Sequence, residues 1–203
     1  MVNKPSTLIA DSDRLKLEQG EQYVSRAALK LAGAADKLGL DFKDKLVLDV
    51  GSSTGGFTDY ALRQGTDRVV AIDVGTEQLH PSLRANPRIE LHEKTDIRNF
   101  KMNDKPDIAL IDVSFISLRQ VLPAVAGLSS KETQIVAMVK PQFEAGPKDV
   151  TKGVIKNDSI RRRVLKDFED WTKNSFIIKA KADSEVAGGK GNLERFYLLR
   201  KTV

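Results

Sequence analysis

The sequence predicts a doubly wound α/β fold, with a Rossmann-like sheet of seven strands that is mostly parallel and ends in an antiparallel hairpin. Two observations lead to this prediction. Short apolar runs rich in Val and Ile recur along the chain, as expected for strands buried on both faces of a parallel sheet. Segments with apolar residues at helical spacing separate these runs, which is typical of βαβ units, whereas only a glycine-rich loop joins the last two.

The chain opens with a segment unlike the rest. Proline, glycine and scattered charges interrupt the few apolar residues of 1–22, so we expect a short strand or two and a linker. A helix is predicted over 25–38, because Ser25 is a suitable N-cap, apolar residues recur at helical spacing, and Gly39 provides a stop. Further strands are predicted at 46–50, 68–73, 89–92, 106–112, 134–140, 176–180 and 194–199. Further helices are predicted to begin at 59, to span 116–128 with an interruption at Pro123, and to span 159–173.

The loop after the first strand is rich in glycine, serine and threonine. It lacks the lysine of a P-loop, and its glycines do not have the spacing of a dinucleotide-binding loop. A carboxylate at its entrance suits a ligand with a cationic ammonium group, such as S-adenosylmethionine, although an ordinary tight turn is the alternative. The residues predicted to bind the cofactor here are Asp49, Gly51, Ser53, Thr54, Gly55, Gly56 and Phe57.

Acidic residues also follow the later strands. Asp73, which precedes Val74, lies roughly twenty residues beyond the glycine loop, where an acid normally hydrogen-bonds the ribose of an adenosine cofactor. Asp96 follows the third strand and is a candidate to accept a hydrogen bond from the adenine amino group. Asp112 ends the fourth strand. Carboxylates at three strand ends, those of Asp49, Asp73 and Asp112, predict a polar edge above a parallel sheet, whereas a lone Asp73 or Asp96 is also compatible with an acidic loop.

A lysine closes the fifth strand. Lys140 follows an apolar run, so its ammonium is expected at the same edge as Asp112, where a partly desolvated lysine is a candidate general base. The alternative is a lysine that extends its charge into solvent. The loop 145–158 is basic, and the three arginines at 161–163 are expected on a solvated helix face or against phosphates.

Composition narrows the class of protein. The 203 residues include no cysteine and two histidines, so disulfides and metal sites are not predicted. No apolar run has the ~20 residues of a membrane helix, and the first residues lack a signal-peptide core, so a cytoplasmic protein without membrane insertion is expected. The formal charge of +5 is compatible with a nucleic-acid partner.

Four strings together carry a family resemblance. They are YVSR with LKL at 23–31, LDVGSSTGGFT at 48–58, DVSFIS at 112–117 and VKPQFE at 139–144. They are similar to the TlyA (hemolysin A) family of ribosomal RNA 2′-O-methyltransferases, which are related to the FtsJ-type enzymes. Members normally carry an N-terminal S4 RNA-binding domain. The resemblance therefore implies that 1–22 is the remnant of such a domain, without its helices, and that 23–203 is a methyltransferase domain dependent on S-adenosylmethionine.

The resemblance also assigns roles. The family's catalytic Lys-Asp-Lys-Glu group corresponds to Lys30, Asp112, Lys140 and Glu194, with Glu194 in the loosest match. Spacing alone would make Lys30 a solvated lysine. In the implied mechanism Lys140 removes the proton of a ribose 2′-hydroxyl, Lys30 favours the neutral amine by charge repulsion, and the two acids orient the amines.

Other interpretations remain open at this stage. A nicotinamide-dependent dehydrogenase shares the fold but has another glycine spacing. A pore-forming hemolysin needs a membrane segment that the sequence does not contain. A non-catalytic ribosome- or RNA-binding protein with a vestigial methyltransferase fold is the remaining alternative. Ribosomal RNA or ribosomal subunits are the expected partners, while the modified nucleotide and the oligomeric state are left open.

Overall fold

The computed structural model describes residues 23–202, so the predicted segment 1–22 lies outside the described residues. The strands are β1 Leu46–Val50, β2 Arg68–Ile72, β3 Ile89–His92, β4 Ile108–Ile111, β5 Gln134–Val139, β6 Phe176–Asp183 and β7 Arg195–Lys201. The helices are α1 Arg26–Leu38, α2 Gly56–Arg63, α3 Pro81–Arg84, α4 Leu118–Leu128, α5 Pro141–Glu144 and α6 Asp158–Thr172. Two single 3₁₀ turns lie at Ile97–Asn99 and Pro147–Asp149.

The seven strands form one sheet in the order β3-β2-β1-β4-β5-β7-β6. Strands β1 to β5 are parallel, and β7 is antiparallel to both β5 and β6. This confirms the predicted doubly wound sheet with antiparallel C-terminal strands. The strand order reverses between β1 and β4, and such a switch point opens a crevice outside the carboxyl ends of the strands.

Both faces of the sheet are covered because the central strands are apolar on both sides. Val47 belongs to a core shared with α1 and α2, and its neighbour Leu48 belongs to a second core shared with α4 and α6. Successive side chains of a strand point to opposite faces, so a continuous apolar run supplies both cores. Because helices cover both faces of the sheet, polar groups from different strands meet at its two ends.

Helix starts and stops follow local chemistry. Ser25 caps α1 by accepting a hydrogen bond from Ala27 N, and Gly39 ends it in the left-handed region with φ 64°. The predicted interruption of α4 at Pro123 is wrong, because the helix runs continuously from Leu118 to Leu128. Pro123 faces solvent while Val121, Leu122 and Val125 are buried, so packing of the apolar face outweighs the lost backbone hydrogen bond.

Candidate active site

Two adjoining cavities lie at the carboxyl ends of β1, β2, β4 and β5. The larger has a volume of about 550 Å³ and the smaller about 140 Å³. Four residues line both cavities and connect them, namely Gly51, Ser53, Asp112 and Ser114. This is the crevice that the strand order predicts.

The glycine turn closes the floor of the crevice. Gly51 has φ 81°, and a Cβ there would lie 2.5 Å from the Asp112 carbonyl oxygen, so only glycine fits. A Cβ on Gly56 would overlap Ser25 Oγ at the start of α1. Gly55 packs against Leu79 instead and lines neither cavity. The predicted turn therefore divides its tasks: Gly51 shapes the cavities, whereas Gly55 and Gly56 bring neighbouring elements close.

The Asp49 carboxylate is fully buried beside the smaller cavity. Thr58 Oγ1 donates to its Oδ2 at 2.6 Å, but Oδ1 accepts no hydrogen bond from any residue of 23–202. Burial, together with the nearby Asp112 charge, raises the pKa of Asp49 to about 7 despite the Thr58 hydrogen bond. A buried oxygen without a partner, on a group that resists ionisation, is suited to a cationic ligand.

Asp73 lies at the edge of the larger cavity with Val74. Its Oδ2 accepts from Ser53 N at 2.8 Å and its Oδ1 accepts from Gly75 N at 2.7 Å. These bonds orient the carboxylate, and each oxygen keeps a lone pair for a further donor. Asp73 thus joins the glycine turn to the end of β2.

Asp96 lines the same cavity but is already engaged. It caps the turn Ile97–Asn99 by accepting from Arg98 N at 2.9 Å, and the Arg98 guanidinium donates to it at 2.6 Å. Hydrogen bonds from Arg98 lower the pKa of Asp96. A hydrogen bond from a ligand to Asp96 therefore has to use the remaining lone pairs of the carboxylate.

The two lysines of the predicted catalytic group each contact one carboxylate. Lys140 Nζ lies 2.6 Å from Asp112 Oδ1 and donates to Ser114 Oγ at 2.7 Å. Lys30 Nζ lies 2.6 Å from Glu194 Oε2. Since Val139 pairs with Arg195 across β5 and β7, the next residues along, Lys140 and Glu194, emerge from neighbouring positions.

The four predicted catalytic residues therefore meet at one edge of the sheet, but with unequal access. Lys140 and Asp112 line the smaller cavity, together with Thr54 and Phe57. Lys30 and Glu194 line neither cavity and pair behind them.

Sequence reasoning missed how the loops after β4 and β5 are joined. The Glu144 side chain is 1% exposed; it accepts from Ser117 Oγ at 2.6 Å and from Leu118 N at 2.6 Å. Phe115, which is 91% exposed and has φ 63°, contacts Phe143 of α5, with the ring centroids 5.1 Å apart and the rings tilted by 49°. Both loops lie in the DVSFIS and VKPQFE strings, so the strings themselves were the available signal.

Two classes of site find no support in this part of the chain. Across residues 23–202 no group of three or more His, Cys, Asp or Glu side chains is arranged to hold a metal ion. Over the same range no helix is long and apolar enough to cross a membrane.

Comparison with known proteins adds a family and close relatives. A family model described as FtsJ-like methyltransferase matches residues 23–202. The 23S rRNA (cytidine-2′-O)-methyltransferase TlyA of Campylobacter jejuni is 43% identical, over 97% of this chain and 78% of that protein. The 16S/23S rRNA (cytidine-2′-O)-methyltransferase TlyA of Mycobacterium tuberculosis is 38% identical, over 97% of this chain and 76% of that protein. A solved structure described as a hemolysin from Streptococcus thermophilus is 39% identical and superposes with a TM-score of 0.86, over 92% of this chain and 70% of that chain.

Proposed function

Because the chain belongs to the TlyA (hemolysin A) family of FtsJ-like methyltransferases, we propose that it transfers a methyl group from S-adenosylmethionine to a ribose 2′-hydroxyl of ribosomal RNA. One observation carries the proposal. The Lys140 ammonium, held by Asp112 and Ser114, lines the same small cavity as the unpartnered carboxylate oxygen of Asp49.

The residues around the two cavities suit S-adenosylmethionine. Asp49 would hold a positively charged part of the cofactor, since its buried Oδ1 has no partner among the described residues. Asp73 would accept from the ribose hydroxyls, and Asp96 with Ile97 would hold the adenine in the larger cavity. A volume of about 550 Å³ lies within the range of small-molecule sites. When bound, the cofactor supplies an electrophilic methyl group on a cationic sulfur.

The proton of the attacking hydroxyl is assigned to Lys140. A ribose hydroxyl does not ionise near neutral pH, so a base at hydrogen-bond distance lowers the barrier. Lys140 must enter this step as a neutral amine, after losing its proton to solvent. Its contacts with Asp112 Oδ1 and Ser114 Oγ fix the position of Nζ, and Asp112 stabilises the ammonium that forms.

The pair Lys30–Glu194 is assigned a supporting role. Glu194 lies beside Lys140 across the β5–β7 pairing, and neither Lys30 nor Glu194 lines either cavity. We assign to this pair the positioning of Lys140 and of the charge around it, without contact with the substrate. Glu194 holds Lys30 in place at 2.6 Å.

An RNA acceptor agrees with the relatives and with the surface beside Lys140. Both TlyA relatives are described as rRNA (cytidine-2′-O)-methyltransferases. The exposed ring of Phe115 follows Ser114 directly and offers an aromatic face on which a nucleobase can stack. The chain as a whole carries a formal charge of +5.

Methylation of ribosomal subunits tests the proposal. Purified protein is incubated with tritium-labelled S-adenosylmethionine and with ribosomal subunits from a strain that lacks TlyA. The rRNA is then digested to nucleosides and analysed by mass spectrometry. We expect label in a 2′-O-methylated nucleoside, with naked rRNA assayed in parallel. Label on a base, or no label on either substrate, would contradict the proposal.

A further inference from the structure

Several exposed cations beside the catalytic group have no acidic partner. Arg26, Lys152 and Lys190 make no ion pair with any residue of the described range, and we call these three residues the basic rim. The arginines of α6 differ. Arg161, Arg162 and Arg163 are each paired, with Asp183, Asp158 and Asp149 respectively. Near the Lys30–Glu194 pair, unpaired positive charge therefore lies on the rim, whereas the arginines at 161–163 are already paired.

A tight hairpin presents Lys152. Thr151 and Val154 exchange two backbone hydrogen bonds of 3.0 Å, and the two residues between them both have positive φ, 51° at Lys152 and 81° at Gly153. Positive φ at both central positions is the backbone of a two-residue hairpin turn. The turn fixes Lys152 at its tip, exposed to solvent.

The second lysine of the rim crosses this hairpin. Lys190 Nζ lies 3.1 Å from the position that a Cβ on Gly153 would occupy, so the absence of a side chain at 153 makes room for it. Both lysines are exposed, and the side chain of Lys190 lies against the residue that follows Lys152. An anion bound at this hairpin would therefore be within the field of both charges.

Asn192 fixes the rim relative to the catalytic group. Its buried side chain accepts from Ile155 N at 3.1 Å and donates to Gly153 O at 2.9 Å, so it ties the hairpin to the loop between β6 and β7. Glu194 follows two residues later and pairs with Lys30. The rim is thus held beside the Lys30–Glu194 pair through one buried amide.

Arg26 completes the rim from the other side of that loop. Its guanidinium lies 3.9 Å from the position of a Cβ on Gly189, and it stands one helical turn before Lys30 on α1. Residues four apart on a helix share a face, so Arg26 lies next to Lys30 and is the more exposed of the two. Gly188 on the same loop leaves no room for a side chain, because a Cβ there would lie 2.8 Å from Glu194 Oε1.

We propose that the basic rim of Arg26, Lys152 and Lys190 binds the phosphodiester backbone of the RNA strand beside the nucleotide that enters the active site. This inference rests on the proposed function, since it takes RNA as the substrate. The three unpaired cations lie on elements tied to the Lys30–Glu194 pair, which adjoins Lys140 across the β5–β7 pairing, so they are suited to contact phosphates of a strand whose ribose is presented to Lys140. Such contacts position the strand and carry no base specificity.

The test compares two double variants with the same change of charge. Lys152→Ala/Lys190→Ala removes two lysines of the rim. Lys131→Ala/Lys179→Ala removes two exposed lysines that also lack an acidic partner within 23–202, one before β5 at the opposite end of the sheet and one on β6 at its edge. Binding of fluorescently labelled protein to purified ribosomal subunits is measured over a series of KCl concentrations. Methylation kinetics and S-adenosylmethionine affinity are measured on the same preparations.

For the rim variant we expect about tenfold weaker binding to the subunits and a salt slope that is shallower by about one per lysine. The KM for the subunits should rise by a similar factor, while kcat and cofactor affinity stay unchanged. The control variant should match the unmodified protein in all four quantities. Equal affinity and equal salt slope for both variants would overturn the inference even if the enzyme methylates rRNA. Weaker binding of the rim variant to subunits that the unmodified protein binds but does not methylate would overturn the proposed function alone.

Discussion

The two lysine–carboxylate pairs at the end of β5 have the same contact distance but different surroundings. Both separations are 2.6 Å, and both lysine side chains are 12% exposed. Asp112 is 16% exposed and lines a cavity, whereas Glu194 is 3% exposed and lines neither cavity. Lys140 also donates to Ser114 Oγ.

The two pairs have the same lysine–carboxylate distance, but their different access to the cavity indicates different roles. A proton acceptor must reach the substrate, and of the two lysines Lys140 is the one that lines the cavity. A buried pair without access acts on its neighbour through charge and packing. Three predictions follow from assigning the base to the accessible pair.

The largest effect is expected from Lys140→Ala. Loss of a general base typically lowers the rate by 10² to 10⁴, so we expect methyl transfer to fall about a thousandfold. Cofactor affinity, measured by calorimetric titration, should change little. Lys140→Arg is the sharper control, since a guanidinium keeps the positive charge but does not act as a base near neutral pH. Substantial activity in the arginine variant, or equal loss of cofactor binding in the alanine variant, would contradict the assignment of Lys140 as the general base.

A smaller loss is expected from the buried pair. Lys30→Met leaves Glu194 buried without its cation, which should lower the free energy of unfolding by about 3 kcal/mol and the methylation rate by about a hundredfold. Lys30→Met/Glu194→Gln removes both charges and should recover most of the stability, as measured by chemical denaturation. Activity should stay low, because the neighbouring charge is still missing. Recovery of activity together with stability would mean that the pair has a structural role only.

The third expected effect is a pH dependence at Asp49, whose pKa is raised by burial and by the charge of Asp112 in the accessible pair. Its pKa of about 7 in the folded protein exceeds its ordinary value of 3.8, so folding favours the protonated form and stability falls as pH rises from about 4 to 7. Asp49→Asn removes this loss, and without cofactor its melting temperature should exceed that of the unmodified protein at neutral pH but match it near pH 4. Affinity for the cationic cofactor should rise up to tenfold per pH unit between about pH 5 and 7 in the unmodified protein, and stay low and flat in the variant. A pH-independent affinity in both proteins would contradict the role of Asp49.

The sequence predicts the sheet well because its strands are continuous apolar runs that only a doubly covered sheet can bury. The acids at the strand ends could also be placed, since the register brings the carboxyl ends of β1, β2 and β4 together. Pro123 was misjudged because its cost is local, whereas the packing that outweighs it comes from the whole apolar face of α4.

The finer parts of the site depend on contacts between distant segments, which periodicity does not encode. Ser114 contacts Lys140 across 26 positions, and Glu144 contacts Ser117 across 27. The engagement of Asp96 by Arg98 is local, two residues apart, but depends on a 3₁₀ turn that short patterns do not predict. The family resemblance supplied Lys30 and Glu194, which residue spacing alone does not bring together.

The hydrogen bonds that Glu144 accepts from Ser117 and Leu118 link the segments that follow β5 and β4. They fasten the segment that carries Lys140 to the first turn of α4, and the ring of Phe143 rests against Phe115 on the same side. We therefore expect these two segments to move as a single body and to keep the separation between Lys140 and the ring of Phe115 when a ligand binds. Any widening of the crevice is then expected on the other side, where α1 contacts the glycine-rich loop between β6 and β7.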